Sequence, residues 1–399
     1  MFKNITKTVW VLSVVSLFTD TASEMLYPIL PVYLKSIGFS ILLIGILEGI
    51  AEATAGLSKG YFGKLSDIQQ KRAPFVQVGY LLSTLAKPMM AMLVFPLWIF
   101  FARTLDRFGK GLRTGARDAI LSDEATPETK GEVFGFHRAM DTAGAVLGPL
   151  LALWYLYVYP EDYVTLFYVA FIPGMLAVAT SLLIKDKKPN ILVSREKTPK
   201  VHFLSFLTYW KSSSKSYRSL LIGLLGFALF NSSDVFLLLM AKEAGYSDSL
   251  VIGVYIFYNL IYAVFSYPLG KLADKVSLKK MFIAGLAAFA LVYLTIGFSQ
   301  HRFVLIGAFF AYGLYAAATQ GISKAWISNI TKQEDMATAI GTYSAFQSIA
   351  AMLASFIAGL IWFNFGAAVT FLTTGIFTVL VIIYFLIYVP NDRQSFFAD

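Results

Sequence analysis

The sequence predicts an all-α integral membrane protein, with twelve transmembrane helices arranged in two six-helix lobes. Three observations carry this. The chain is 57% hydrophobic and 14% charged, with a mean hydropathy of +0.66, whereas soluble domains are about 25% charged. It holds twelve apolar stretches of about 20 residues, the length that crosses a hydrocarbon core roughly 30 Å thick as a helix. One string also occurs twice. Gly63-Lys64-Leu65-Ser66-Asp67 returns as Gly270-Lys271-Leu272-Ala273-Asp274, 207 positions later (270 against 63), just over half of the 399 residues. A duplicated chain with matching turns at matching membrane exits is the plan of a two-lobed transporter.

The spans are expected, in order, at 9–35, 41–62, 74–93, 96–118, 132–156, 164–184, 219–241, 249–270, 281–299, 303–327, 337–362 and 367–389. Span 1 is too long for a signal-peptide core and is expected to be retained. It closes on Lys35-Ser36-Ile37-Gly38, and span 7 closes on Lys242-Glu243-Ala244-Gly245, again 207 apart. Spans 2 and 8 run into the two strings, followed by Lys71-Arg72 and by Lys275, Lys279 and Lys280. Gly135-Phe136 in span 5 has a near counterpart in Gly341-Thr342 of span 11. The runs are too long and too weakly alternating for barrel strands.

Residues 185–218 divide the lobes 1–184 and 219–399. This linker holds nine Lys/Arg against Asp186 and Glu196, and Pro189 and Pro199 break helix. Phe203, Phe206, Leu207 and Trp210 fit a short amphipathic helix on the inner leaflet. The alternate loops near 36–40, 157–163 and 363–366 carry almost no charge. By the positive-inside pattern, the linker and both termini face the cytoplasm of a cell membrane. The net charge of +9 follows from this distribution and does not point to nucleic acid. With no cysteine, disulfides and thiolate metal sites are excluded, and three scattered histidines argue against a transition-metal site.

The chain resembles the major facilitator superfamily over essentially its whole length. Gly63 to Arg72 looks like that family's signature between spans 2 and 3, one residue short of the usual spacing. Gly270 to Lys280 looks like its second-half copy. Arg107-Phe108-Gly109-Lys110-Gly111 looks like the span 4 Arg-x-x-polar-Gly element. Gly144-Ala145-Val146-Leu147-Gly148-Pro149 resembles the Gly-x-x-x-Gly-Pro signature of the exporters, although the glycine pair that usually follows it is replaced by Leu151 and Ala152.

Ionisable groups within a bilayer cost about 2.5–3.5 kcal/mol each on insertion scales, yet the first lobe is crowded with them. Spans 1 to 5 carry Asp20, Glu24, Glu48, Glu52, Lys87, Arg103, Asp106, Arg107, Lys110, His137, Arg138 and Asp141. The near-balance of sign predicts an interior ion-pair network. Asp20 and Glu24 share a helix face with Tyr27. Two carboxylates this close in low dielectric do not both ionise easily, so one is suited to carrying a proton. Arg107 is always charged and can compete with that proton. The resemblance adds that facilitator exporters often set a span 1 acid beside the span 4 arginine. The alternative is that the acids only lock span 1 to span 4. Glu48 and Glu52 are expected to pair with Lys87 or to line the outer vestibule, and Arg103, Asp106 and Lys110 to pair with one another. His137, a turn from Asp141, is a pH-sensor candidate or a packing histidine.

Asp67 and Asp274 can each cap a following helix or bind its positive N-terminus, with Gly63 and Gly270 permitting the turn. The resemblance implies a conformational latch in which Asp67 pairs with a span 4 arginine, Arg113 or Arg117. Gly144, Gly148 and Pro149 let span 5 pack closely and bend. In the second lobe, Asn231, Asp234, Tyr312, Tyr315, Gln320, Tyr343 and Gln347 put polar tips among aromatic rings, which suits an amphipathic organic ligand. Tyr27 and Arg103 complete the substrate candidates.

No catalytic motif appears, neither His-Glu-x-x-His nor Gly-x-Ser-x-Gly, nor a Walker sequence, so neither an enzyme nor an ATP-driven pump is expected. The expectation is a monomeric secondary transporter working by alternating access. It has no cofactor beyond the proton as coupling ion, and it exports a small organic molecule by proton antiport. The alternatives are proton-coupled uptake of an organic anion, with Arg103, Arg107, Lys110 and Arg138 holding it, and a carboxylate-lined exporter of a hard metal cation.

Overall fold

The computed structural model describes residues 3–186, 202–298 and 301–390. The linker residues from Lys187 to Val201, with both of its prolines, lie outside them. Among the described residues no strand occurs. The helices are α1 (Lys7–Glu24), α2 (Leu30–Ser36), α3 (Ile41–Gln69), α4 (Ala73–Met92), α5 (Pro96–Asp123), α6 (Lys130–Val158) and α7 (Tyr163–Ser181). From within the linker onward come α8 (Tyr209–Ser212), α9 (Lys215–Ala228), α10 (Val235–Glu243), α11 (Asp248–Val276), α12 (Leu278–Phe298), α13 (Arg302–Asn329) and α14 (Met336–Tyr388). Six helical stretches among the described residues are long and apolar enough to cross a membrane by that measure alone. Large apolar side chains such as Leu97, Trp154 and Phe356 are 65–70% exposed, a face that suits lipid better than water.

Helix starts follow capping chemistry. Thr6, Ser40, Ser214 and Ser247 each accept a hydrogen bond from an amide of the first turn of α1, α3, α9 and α11. Pro96 opens α5, where its missing N–H is not needed. The expected spans each coincide with helix, with three differences. Span 1 is two helices, interrupted at 25–29, because Pro28 and Pro31 remove amides from the ladder. Span 7 is interrupted at 229–234, where the run Asn231-Ser232-Ser233-Asp234 offers side-chain alternatives to helical bonding. The two breaks lie at matching places in the two halves. Spans 11 and 12 follow one another within α14, turned only at Gly366, whose φ of 84° favours glycine.

The helix expected at Phe203–Trp210 is a 3₁₀ turn, Ser205–Thr208, followed by the single turn α8. It docks on α3. The Phe206 ring lies where a Cβ on Gly60 would stand, and Lys64 Nζ donates to the Ser205 carbonyl at 2.7 Å.

The chain divides into two compact units. The first comprises Met1–Glu124, Met140–Ser212 and Lys332–Ala345, and the second Ala125–Ala139, Ser213–Thr331 and Phe346–Asp399. This follows the six-plus-six division except that α6 and α14 each cross it. The first unit's apolar core gathers Leu30, Tyr33, Leu34, Ile99, Leu166 and Phe167. Here α6 presses on α1. A Cβ at Gly148 would lie 2.7 Å from the Thr21 carbonyl oxygen and 2.8 Å from the Met25 amide. The second unit's interior is aromatic: Phe227, Phe289, Tyr293, Tyr312 and Tyr315 pack ring on ring.

Candidate functional site

In the first unit a small solvent-connected cavity opens beside the break between α1 and α2. Its polar wall is Asp20, Ser23, Glu24 and Tyr27 from α1 and the break, Lys87 from α4, and Arg103, Asp106, Arg107, Lys110 and Arg113 from α5. The α5 residues recur at intervals of three and four, so one helix face carries all five.

Of the expected ion pairs, Arg103 with Asp106 forms and the others differ. Arg103 grips Glu48 of α3 with two bonds of 2.8 Å and also donates to Asp106 at 3.2 Å. Arg107 Nε lies 3.3 Å from Glu52, also on α3. Lys87 pairs with Asp106 at 3.8 Å and donates to the Ser83 carbonyl, so it is not the partner of Glu48 or Glu52. Both glutamates are claimed by arginines because α3 and α5 pack side by side. Asp20 lies against α6: a Cβ on Gly144 would stand 3.1 Å from the Asp20 Cβ. Among the described residues, neither the Glu24 carboxylate nor the Lys110 ammonium makes a hydrogen bond or ion pair. Arg107 therefore shares the cavity with Asp20 and Glu24 but is paired elsewhere. Tyr27 stands half exposed at the rim.

In the second unit Asp234 sits at the head of α10, where span 7 breaks. Its carboxylate accepts the hydroxyls of both Tyr258 and Tyr312. Asn231 Nδ2 donates to Tyr315 at 3.0 Å. Tyr258 was missing from the sequence-derived set; its signal is the run Tyr255, Tyr258, Tyr262 on one face of α11. Gln320 on α13 and Gln347 on α14 are half-buried, and Tyr343 on α14 is buried.

The two Gly-x-Leu-x-Asp strings lie inside helices rather than in turns; α3 continues to Gln69 and α11 to Val276. Gly63 and Gly270 instead allow backbones to touch. A Cβ on Gly63 would stand 3.3 Å from the Gly341 Cα, and one on Gly270 3.1 Å from the Gly135 Cα. Asp67 accepts the amides of Ala337 (3.2 Å) and Thr338 (2.7 Å) and the Thr338 hydroxyl (2.8 Å), at the first turn of α14. Asp274 accepts the amides of Gly131 and Glu132, both at 2.7 Å, at the first turn of α6. Carboxylates on helix N-termini meet free amides and the positive end of the macrodipole. Asp67 does not pair with Arg113 or Arg117. Arg113 donates to the Ser83 hydroxyl at 2.6 Å and stacks on Tyr80, and Arg117 is held by Asp118. Arg72 takes the arginine's place, 3.1 Å from Asp67.

The family model described as Major Facilitator Superfamily matches residues 12–258 and 235–396. The chain belongs to the major facilitator superfamily. It is therefore a membrane transporter rather than an enzyme, built as twelve transmembrane helices in two six-helix lobes. It is 32% identical over 366 residues to an uncharacterized MFS-type transporter of Methanocaldococcus jannaschii, covering 90% of this chain and 89% of that one. It is 25% identical to the staphyloferrin B transporter of Staphylococcus aureus, over 88% of this chain and 85% of that one. The crystal structure of the human organic anion transporter MFSD10 superposes with a TM-score of 0.77 at 16% identity, covering 95% of this chain and 98% of that one, a likeness of fold.

Proposed function

We propose that this facilitator-family chain is a proton-coupled secondary transporter that exports a small organic molecule by alternating access, with the α1 carboxylates Asp20 and Glu24 as the coupling groups. The observation that carries this is Glu24. It is a carboxylate on a solvent-connected cavity wall with no hydrogen bond or ion pair among the described residues, facing a cavity that also holds the Lys110 ammonium. Loading a proton on Glu24 removes a charge from the wall; losing it restores a site for a cationic or polar ligand. Lys110 takes the part that the sequence suggested for Arg107, which Glu52 holds. The Gly144–Pro149 segment, packed against α1, supports the direction through its likeness to the exporter signature. Asp67 and Asp274 act as paired latches on the side carrying the basic linker, which by its charge faces the cytoplasm. The working unit is a monomer.

A second reading is proton-coupled uptake of an organic anion, favoured by Lys110 and by Arg113, which has a hydroxyl and a ring as partners but no carboxylate. The cation-exporter reading has no comparable support, since the described residues contain no group of three or more histidines and carboxylates.

The test is a thermal-shift screen of the purified protein against drugs, organic acids, phosphates, siderophore-like chelators and divalent cations at two pH values. Hydrophobic or cationic hits that weaken as pH falls support antiport. Anionic hits that strengthen at low pH support the second reading. Hits indifferent to pH, unchanged in Glu24→Gln, remove the proton from the mechanism.

A further inference from the structure

Among the described residues, Arg113 is the arginine of the cavity wall that meets no carboxylate; Glu48 and Asp106 hold Arg103, and Glu52 holds Arg107. It is 5% exposed and fixed from two sides. Nη1 donates to the Ser83 hydroxyl oxygen at 2.6 Å, and the guanidinium carbon stands 4.5 Å from the centre of the Tyr80 ring. Ser83 gives its own proton to the Asp106 carbonyl at 2.9 Å, so its oxygen is left to accept. A Cβ on Gly79 would stand 2.7 Å from the Arg113 Cβ, so α4 lies bare against the base of the side chain. The other edge of the guanidinium is unused. Nε is buried without a hydrogen-bond partner, and nothing among the described residues accepts from Nη2. Nε and Nη2 form the edge that grips a planar carboxylate with two parallel hydrogen bonds. A buried donor without a partner is costly, and a ligand oxygen relieves that cost.

We propose that the transported molecule is a small zwitterion, its carboxylate held by the Nε–Nη2 edge of Arg113 and its ammonium received by Glu24. The proposal rests on the reading of this cavity as the transport path and of Glu24 as its cation-binding group, and it names the cargo. The two ends of the ligand meet different helices. Glu24 belongs to α1 and is a wall carboxylate without a hydrogen bond or ion pair; Arg113 belongs to α5. Lys110, one turn before Arg113, adds a second positive charge to the same wall. Arg103 and Arg107 are already saturated by carboxylates, so the anion has one seat rather than three. Two donors complete a planar carboxylate, whereas a phosphate monoester brings a third oxygen and a second charge. A molecule with charge of one sign leaves either Glu24 or Arg113 facing the cavity unpaired, which sets the preference for both charges together.

The experiment titrates the purified full-length protein with leucine, β-alanine and γ-aminobutyrate, each beside its amide and its N-acetyl form. All are compared at one pH by the concentration that gives half of the maximal melting shift. At least one zwitterion is expected to bind about tenfold or more tightly than both of its modified forms, since each form gives up a charged hydrogen bond. Arg113→Gln should bring the zwitterion level with its amide and keep the N-acetyl comparison; Glu24→Gln should do the reverse. An amide that binds as well as its zwitterion, or a carboxylate preference that survives Arg113→Gln, overturns the anion seat. An N-acetyl form that binds as well overturns the zwitterion and leaves a plain carboxylate cargo. No shift with any of the three sets overturns the proposal outright. If Arg113→Gln fails to fold, Arg113→Lys keeps the charge without the two-donor edge, and an undiminished carboxylate preference there overturns the seat. Because these comparisons share one pH, they report the cargo alone. Shifts that prefer the zwitterion yet ignore pH in the two-pH screen support the cargo and remove the proton coupling.

Discussion

The two halves share a frame and differ in chemistry. Each has a first span broken in the middle, at 25–29 and at 229–234, and each has a Gly-x-Leu-x-Asp string whose aspartate sits on a helix N-terminus. In the first unit the acids around the cavity face lysine and arginine, in pairs that an incoming ligand or proton can rearrange. In the second, the acid at the break is held by neutral phenols and ringed by aromatics. The difference teaches that duplication preserves the seat of an aspartate on a helix N-terminus, while the polar residues beside each break have diverged.

The comparison breaks most sharply at Arg103. Arg103→Ala leaves Glu48 and Asp106 facing each other without their shared cation, and unpaired buried charge costs about 3–5 kcal/mol. A fall in melting temperature, partly restored by adding Glu48→Gln, is expected; a neutral result would mean that the network is ornamental. Next come the duplicated glycines. Gly63→Ala and Gly270→Ala each force a methyl against backbone, and overpacking costs about 1–3 kcal/mol. Similar losses in both are expected from melting curves, and a large inequality would end the equivalence of the two strings. Asp234→Asn is smaller, about 1 kcal/mol, because the amide oxygen still accepts from a tyrosine. Its melting curve should move less than that of Arg103→Ala, and an equal loss would show that the second unit also rests on charge.

The smallest effect is a pH shift. Asp67 lies five residues past the apolar span 41–62, and burial raises its carboxyl to about 6 against the opposing pull of Arg72 and Thr338. Released to water, an aspartate titrates near its usual value of about 3.9. The latched state therefore binds the proton more tightly, and lowering pH from above 6 towards 4 favours it over the unlatched state. The share of molecules with a short spin-label distance between Lys71→Cys and Glu334→Cys should rise over that interval, and Asp67→Asn should abolish the rise.

Most of the frame was legible in the sequence because lipid imposes a simple rule of length and polarity. Even the joint at Gly366 stood in the uncharged loop expected at 363–366. The breaks in spans 1 and 7 were not seen, since Met25, Leu26, Tyr27, Ile29 and Leu30 keep hydropathy high through a segment that Pro28 and Pro31 interrupt. Spacing along one helix brought Asp20 and Glu24 to one face and Arg103 to Asp106. It is silent about which helix lies opposite, so the partners Glu48 and Glu52 and the seat of Asp67 on α14 came only from packing.

Between Met336 and Tyr388 the chain has no charged residue, and one glycine at positive φ turns it back. Neither arm carries a topogenic signal of its own at that joint. During synthesis the last two spans must therefore enter the bilayer as a single helical hairpin, taking their orientation from segments already inserted.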